Sequence, residues 1–244
     1  MTAPLYMLRL ELDSRALLRF ARDQGINRAQ DEDLGYACHA WLTACFGTLA
    51  PKPFRLFAER AAEPDLKLLA YSGLDSGTLS GHALAFASPS AHRVLEGARL
   101  AHAAMPAAWR NGLKLGFELL ACPIVRQRHA EKDVFLCRVE GSTAENPHPA
   151  RGAAYREWLA AQLAGAAILE GFELDSFRLV RTLRRAHVAA EHRFRTIRAI
   201  TRPRALCRGT LVVADGPRFQ ELLRRGIGRH RAFGYGMLLL RPGG

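Results

Sequence analysis

The chain has 244 residues, of which 49% are hydrophobic, and its 35 lysines and arginines against 23 aspartates and glutamates give a formal charge of +12. That composition excludes a disordered chain, supplies enough apolar residues for one large core or two smaller ones, and makes a phosphate-bearing partner the first expectation, nucleic acid ahead of an anionic membrane surface. With no apolar run of about 18 residues and no signal-peptide pattern, and with five scattered cysteines (Cys38, Cys45, Cys122, Cys137 and Cys207) that form no Cys-x-x-Cys, no disulfide framework or zinc site is suggested, and a cytoplasmic location is expected.

Leu8, Leu10 and Leu12 alternate with Arg9 and Glu11, which predicts a half-buried opening strand. Asp13 and Ser14 cap a short helical stretch that ends near Gly25. The acidic run 31–33 then opens a second helix, about residues 32–46, closed by Gly47. At about 100° per residue, Leu34, Ala37, Cys38, Trp41, Leu42 and Cys45 share one face. Tyr36, His39 and Thr43 fall on the other, and the spacing of three makes Tyr36 and His39 neighbours. As exposed residues they are either ordinary polar surface or, on a basic protein, an acid–base pair or stacking platform. Residues 54–57 and 66–71 read as strands, 76–86 as a helix and 94–101 as a weaker strand. Strand, helix, strand, strand, helix, strand is the ferredoxin-like order.

Residues 105–140 form the hinge region in this reading, with strands at 113–120 and 133–138. The first of these belongs to either half. Residues 141–152 read as a loop and 155–169 as a helix with Trp158, Leu159 and Leu163 inward. From residue 172 to 208 the chain carries ten arginines against three acids, Glu173, Asp175 and Glu191. A solvated charged face interleaves acids to relieve repulsion; this one does not, so nucleic-acid contact is expected, on a hairpin with one basic side. The segment 209–215 is a strand running into a turn. Asp215 and Pro217 then start a helix with Phe219, Leu222 and Leu223 inward, and Gly226 stops it. The second half thus repeats the order of the first. The expected fold is α+β, two tandem ferredoxin-like (RRM-like) βαββαβ domains, residues 1–110 with the candidate catalytic helix and 111–244 with the basic stretch and a glycine-rich loop.

That loop, GIGRHRAFGYG at residues 226–236, holds four glycines and the basic run Arg229, His230, Arg231, and it leads into an apolar strand. Glycines let backbone approach a ligand closely, and the neighbouring cations suit a phosphate. A dinucleotide or Walker loop follows a strand and opens a helix; this one follows a helix and opens a strand, so neither motif applies. An ordinary basic helix-to-strand connection is the alternative. The stretch GIGRHRAFGYGMLLL, residues 226–240, resembles the C-terminal glycine-rich motif of the CRISPR repeat-processing endoribonucleases, above all the type I-E branch called CasE. AWRNGLKLGFE at 108–118, Cys122-Pro123 and YREWL at 155–159 are similar to segments of that branch. The likeness covers most of the chain, and the C-terminal loop is its specific part.

No cluster of carboxylates or His/Asp residues stands out as a metal site, and no nucleophilic Ser or Cys has a local partner. Metal-free RNA cleavage needs less, because the 2′-hydroxyl is the nucleophile and the protein only moves protons, aligns the attack and stabilises charge. The resemblance implies a metal-independent endoribonuclease that cuts CRISPR precursor RNA at the base of the repeat stem-loop. It implies 2′,3′-cyclic phosphate and 5′-hydroxyl ends, and that the product is kept within the multisubunit complex Cascade, without a small-molecule cofactor or membrane. Tyr36 and His39 match the branch's Tyr and His, three apart on the first domain's helix, which makes His39 a general acid or base and Tyr36 its partner. RNA contacts are expected from Arg193, Arg195, Arg198, Arg202, Arg204 and Arg208, and from Gly226, Gly228, Arg229, His230, Arg231, Gly234 and Gly236. Arg195 and Arg198 are the candidates for the cation at the phosphate. His230 is a rival catalyst, and His129 a further RNA contact. A hairpin-binding subunit without catalysis and a non-specific RNA chaperone are the competing readings.

Overall fold

The computed structural model describes residues 3–26, 34–57, 65–127, 130–140, 150–185 and 197–243. Four strands, β1 (Tyr6–Asp13), β2 (Phe54–Phe57), β3 (Asp65–Ser72) and β4 (Arg99–Ala104), pair antiparallel in the order β2-β3-β1-β4. Helices α1 (Ser14–Asp23), α2 (Gly35–Phe46), α3 (Ser76–Phe86) and α4 (Pro89–Glu96) connect them. β5 (Lys114–Ala121), β8 (Ala167–Arg185), β9 (Ile197–Val213) and β10 (Leu238–Pro242) make a second antiparallel sheet in the order β10-β5-β9-β8. Between β5 and β8 lie a hairpin of β6 (Ile124–Gln127) and β7 (Ala130–Asp133) and two helices, α5 (Val134–Glu140) and α6 (Arg151–Leu163); α7 (Gly216–Arg225) joins β9 to β10. Both sheets show the fourth-first-third-second strand order of the ferredoxin-like fold, so the chain folds as two tandem ferredoxin-like units.

The alternation of β1 decides its packing. Leu8, Leu10 and Leu12 enter the first core with Trp41, Leu42 and Phe46 of α2, while Met7 on the other face packs against the second core. Tyr71 of β3 also joins that second core, and its buried hydroxyl donates to the Leu238 carbonyl at 2.8 Å. The helix-free face of the first sheet is therefore held to the second sheet.

Three expectations need correction. Only the end of 94–101 is strand: Ser88 caps α4, Pro89 sits in its first turn, and Ala91 and Val94 are buried three apart, so β4 starts only at Arg99. Residues 133–138 do not form a strand: the Asp133 carboxylate accepts from the Phe135 N–H at 2.9 Å at the start of α5. α6 ends at Leu163 rather than 169, because Gly165 at φ 80° turns the chain into β8. Residues 105–140 supply β5, in the place of the strand expected at 113–120, and the β6–β7 hairpin, and β5 pairs with β9 and β10, which assigns it to the second sheet.

Candidate active site

Helix α2 is oriented by its apolar face. Ala37, Cys38, Trp41, Leu42, Cys45 and Phe46 are buried, and the Trp41 indole N–H donates to the Ala91 carbonyl at 3.1 Å, which fixes the roll of α2 against α4. Tyr36 and His39 consequently emerge together, their ring centroids 6.2 Å apart and edge-on. They are not exposed, as the sequence suggests, but half-buried. The cover is Phe233 of the glycine loop. It stacks on Tyr36 at 5.7 Å and meets His39 edge-on at 5.0 Å. His230 lies 5.8 Å from the same ring, so one phenylalanine gathers the predicted pair and its rival.

Burial pulls the His39 imidazole below the usual histidine range, and the charge of Lys52 pushes the same way. Both effects disfavour the imidazolium, so His39 is held neutral at pH 7. Lys52 is exposed on the loop before β2. With Arg225, Arg229, His230, Arg231 and Phe233 it lines a cleft of about 770 Å³.

The glycines of the loop serve the protein's own packing. A Cβ on Gly228 would lie 2.8 Å from Trp158, and one on Gly236 2.3 Å from the Ile227 carbonyl oxygen. Both have positive φ, 72° and 79°, where a side chain is strained. The loop is closed by the Ile227 N–H donating to the Gly236 carbonyl at 2.9 Å, and tied to β5 by the Gly236 N–H donating to Leu120 at 2.8 Å. The close approaches that require glycine at these two positions are internal ones.

The loop's cations are anchored by a residue that sequence reasoning missed. Glu131 of β7, its side chain 8% exposed, accepts from Arg229 Nε at 2.8 Å and Arg202 Nη2 at 2.8 Å, and bonds His230 Nε2 at 3.0 Å. Burial alone would raise its carboxyl, but His230, Arg229 and Arg202 outweigh that and hold it below the usual carboxylate range. Burial pulls His230 down against the opposing pull of Glu131, and a neutral ring with its proton on Nε2 makes the observed bond. His230 also adopts a left-handed backbone, φ 59°, uncommon for a non-glycine residue and the sort of outlier found at functional sites. Arg231 donates to the Arg225 carbonyl, the last of α7, at 2.6 Å. No sequence signal marked Glu131, which stands in a four-residue hairpin strand of alternating charge.

Within β9 the described arginines share one face. On β9 Pro203, Ala205, Cys207, Leu211 and Val213 are buried, whereas Arg202, Arg204 and Arg208 alternate with them on the opposite face. Arg208 is held by Glu118 at 3.1 Å and Asp175 at 2.6 Å. Arg193, Arg195, His129 and the side chain of Arg198 lie outside the described residues. The segment 155–159 is structural: the buried Tyr155 hydroxyl donates to Asp133 at 3.0 Å, and Arg151 bonds the same carboxylate at 2.6 Å. Among the described residues no three or more His, Cys, Asp or Glu side chains are grouped to hold a metal ion, and no helix is long and apolar enough to cross a membrane.

Fold and site together define a tandem ferredoxin-like protein with a basic cleft beside a covered Tyr–His pair. The family model described as CRISPR associated protein matches residues 5–242. The chain belongs to that family. Among solved structures it is similar to the CRISPR endoribonuclease Cse3 bound to a 19-nucleotide RNA, with TM-score 0.63 and 20% identity over 98% of this chain and 100% of that one. Cse3 of Thermus thermophilus, bound to an RNA representing a pre-cleavage complex, gives 0.58 and 22% over 98% and 100%. A chain of a CRISPR RNA-guided surveillance complex gives 0.51 and 17% over 97% and 99%. No protein of curated function matches the chain.

Proposed function

We propose that this protein is a metal-independent endoribonuclease that cuts CRISPR precursor RNA at the base of the repeat stem-loop and keeps the product as a subunit of Cascade. The observation that carries the reading is the gathering of Tyr36, His39 and the glycine loop around Phe233, with Lys52 close enough to depress His39. The family and the naming of two relatives as CRISPR endoribonuclease and surveillance-complex chain support it.

In this mechanism the neutral His39 takes the proton of the 2′-hydroxyl, whose oxygen attacks the adjacent phosphorus. Lys52 faces the charge that builds on the phosphorane oxygens, and the Tyr36 hydroxyl supplies the proton that the departing 5′-oxygen needs. The ends are a 2′,3′-cyclic phosphate and a 5′-hydroxyl. The arginine face of β9 grips the stem, where A-form geometry offers phosphates and shape rather than base edges. The domain boundary near residue 110 places catalysis in the first unit and RNA grip in the second, and the two separate sheets support that division.

The test is single-turnover cleavage of the repeat RNA in EDTA. The parent protein should cut at one position and leave a cyclic phosphate. His39→Ala should lose about 10²–10⁴-fold in rate, as removal of a general base does, and still bind the hairpin. Tight binding without cutting by the parent would instead identify a non-catalytic hairpin-binding subunit. Normal cutting by His39→Ala would move the site to His230.

A further inference from the structure

The two sheets leave a second, smaller notch, about 280 Å³, with Leu120, Leu206, Phe177, Arg178 and Arg204 of the second sheet on one side and Arg55 of β2 on the other. Arg55 is the unusual member. It is 8% exposed, its ion pair is to Glu118 at 3.5 Å through Nη2, and its Nε and Nη1 are buried with no hydrogen-bond partner. Glu118 is also shared with Arg208. Burial lowers the Arg55 guanidinium to about 10 against the opposing pull of Glu118, and the nearby charges of Arg204 and Arg208 push the same way as burial.

Arg178 and Arg204 are direct cross-strand partners in the register of β8 and β9. A buried guanidinium with unmet N–H groups costs free energy, and that cost falls when an anion enters beside Arg55. The floor is apolar and aromatic, and Leu120 and Leu206 belong to the cluster in which Tyr235 and Phe233 pack, so the notch adjoins the loop that covers His39.

We propose that this notch binds one nucleotide of the single-stranded RNA that flanks the stem-loop, with its phosphate on Arg55, Arg178 and Arg204 and its base against Phe177 and the leucines. The proposal rests on the RNA-processing reading above. A narrow slot between two sheets cannot admit a duplex, whereas cations beside an aromatic side chain are how single strands are held. The notch thereby adds a contact on the flank, so that RNA is recognised by more than its stem.

The experiment compares two repeat hairpins carrying a 2′-deoxy nucleotide at the cut, one bare and one with single-stranded flanks of about four nucleotides. For the parent chain the flanked RNA should bind about tenfold tighter, the gain expected from charge-assisted phosphate contacts. In Arg55→Lys, which keeps charge but loses the guanidinium fork, and in Arg178→Ala, at an exposed side chain, that advantage should fall to about one. Thermal melting establishes that each variant is folded, and Arg178→Ala decides the matter where Arg55→Lys does not fold. A parent that gains nothing from the flank, or an Arg178→Ala protein that keeps the full gain, overturns the notch and leaves the hairpin reading standing. A parent that prefers neither hairpin to an unrelated duplex overturns both.

Discussion

Replacing Glu131 by alanine removes the one carboxylate that Arg202, Arg229 and His230 share. Taking one partner from a buried charge cluster costs about 3–5 kcal/mol, because the opposite charge is left without compensation. Arg229 has a side chain 46% exposed and water takes it over, while that of Arg202 is only 12% exposed and the neutral His230, 16% exposed, would lose an acceptor for its N–H. The lower end, about 3 kcal/mol, is therefore expected, and at about 2–4 °C per kcal/mol for a chain of this size the melting temperature should drop by about 6–12 °C. Glu131→Gln keeps the shape and one acceptor and should lose about 1–2 kcal/mol. The pH dependence has a definite sign. A carboxyl held low in the folded state stabilises above its unfolded pKa, about 4.3, and that contribution is lost as pH falls through the folded value. The gap between parent and Glu131→Gln, measured by urea denaturation followed by circular dichroism, should thus be full at pH 7 and shrink below about pH 4. An alanine variant within about 0.5 kcal/mol of the parent would refute the idea that this carboxylate anchors the loop.

Phe233→Ala should let water reach His39, raising its pKa toward the ordinary range although Lys52 still opposes the charge. Cleavage that depends on neutral His39 is lost as pH falls through that pKa, so the acidic limb of the rate profile should move to higher pH; an unmoved limb would mean Phe233 does not desolvate His39. Lys52→Ala should slow cleavage about 10–10²-fold, the low side for a lost electrostatic contact because Lys52 is exposed, with hairpin affinity changed little in a filter-binding assay. Gly228→Ala forces a Cβ to 2.8 Å from Trp158 at φ 72°, and should cost about 2–4 kcal/mol in denaturant titration.

Much of the second unit was legible because its signals are local. Asp215 caps α7 by accepting from the Arg218 N–H at 2.9 Å, and Gly226 ends that helix, both as the residue types demand. The regular alternation on β9 separates a buried face from an arginine face whatever the strand pairs with. The misreadings came where two elements share one short apolar run. Residues 94–101 span the end of α4, a turn and the start of β4, and no periodicity of either kind survives across such a junction. At residues 133–138 the capping carboxylate of Asp133 overrode β-branched and aromatic propensity.

The amino-acid sequence by itself determined the tandem ferredoxin-like order, the one-sided basic strand and the pairing of Tyr36 with His39 three residues apart, since periodicity says which face a residue occupies. Only the tertiary structure decided what stands opposite that face. Phe233 comes to His39 from the far end of the chain, Glu131 reaches Arg229 across 98 positions, and Arg55 meets Glu118 between two sheets. Those contacts follow from antiparallel pairing and sheet-to-sheet packing, which join segments distant in sequence and leave no periodic trace in either one.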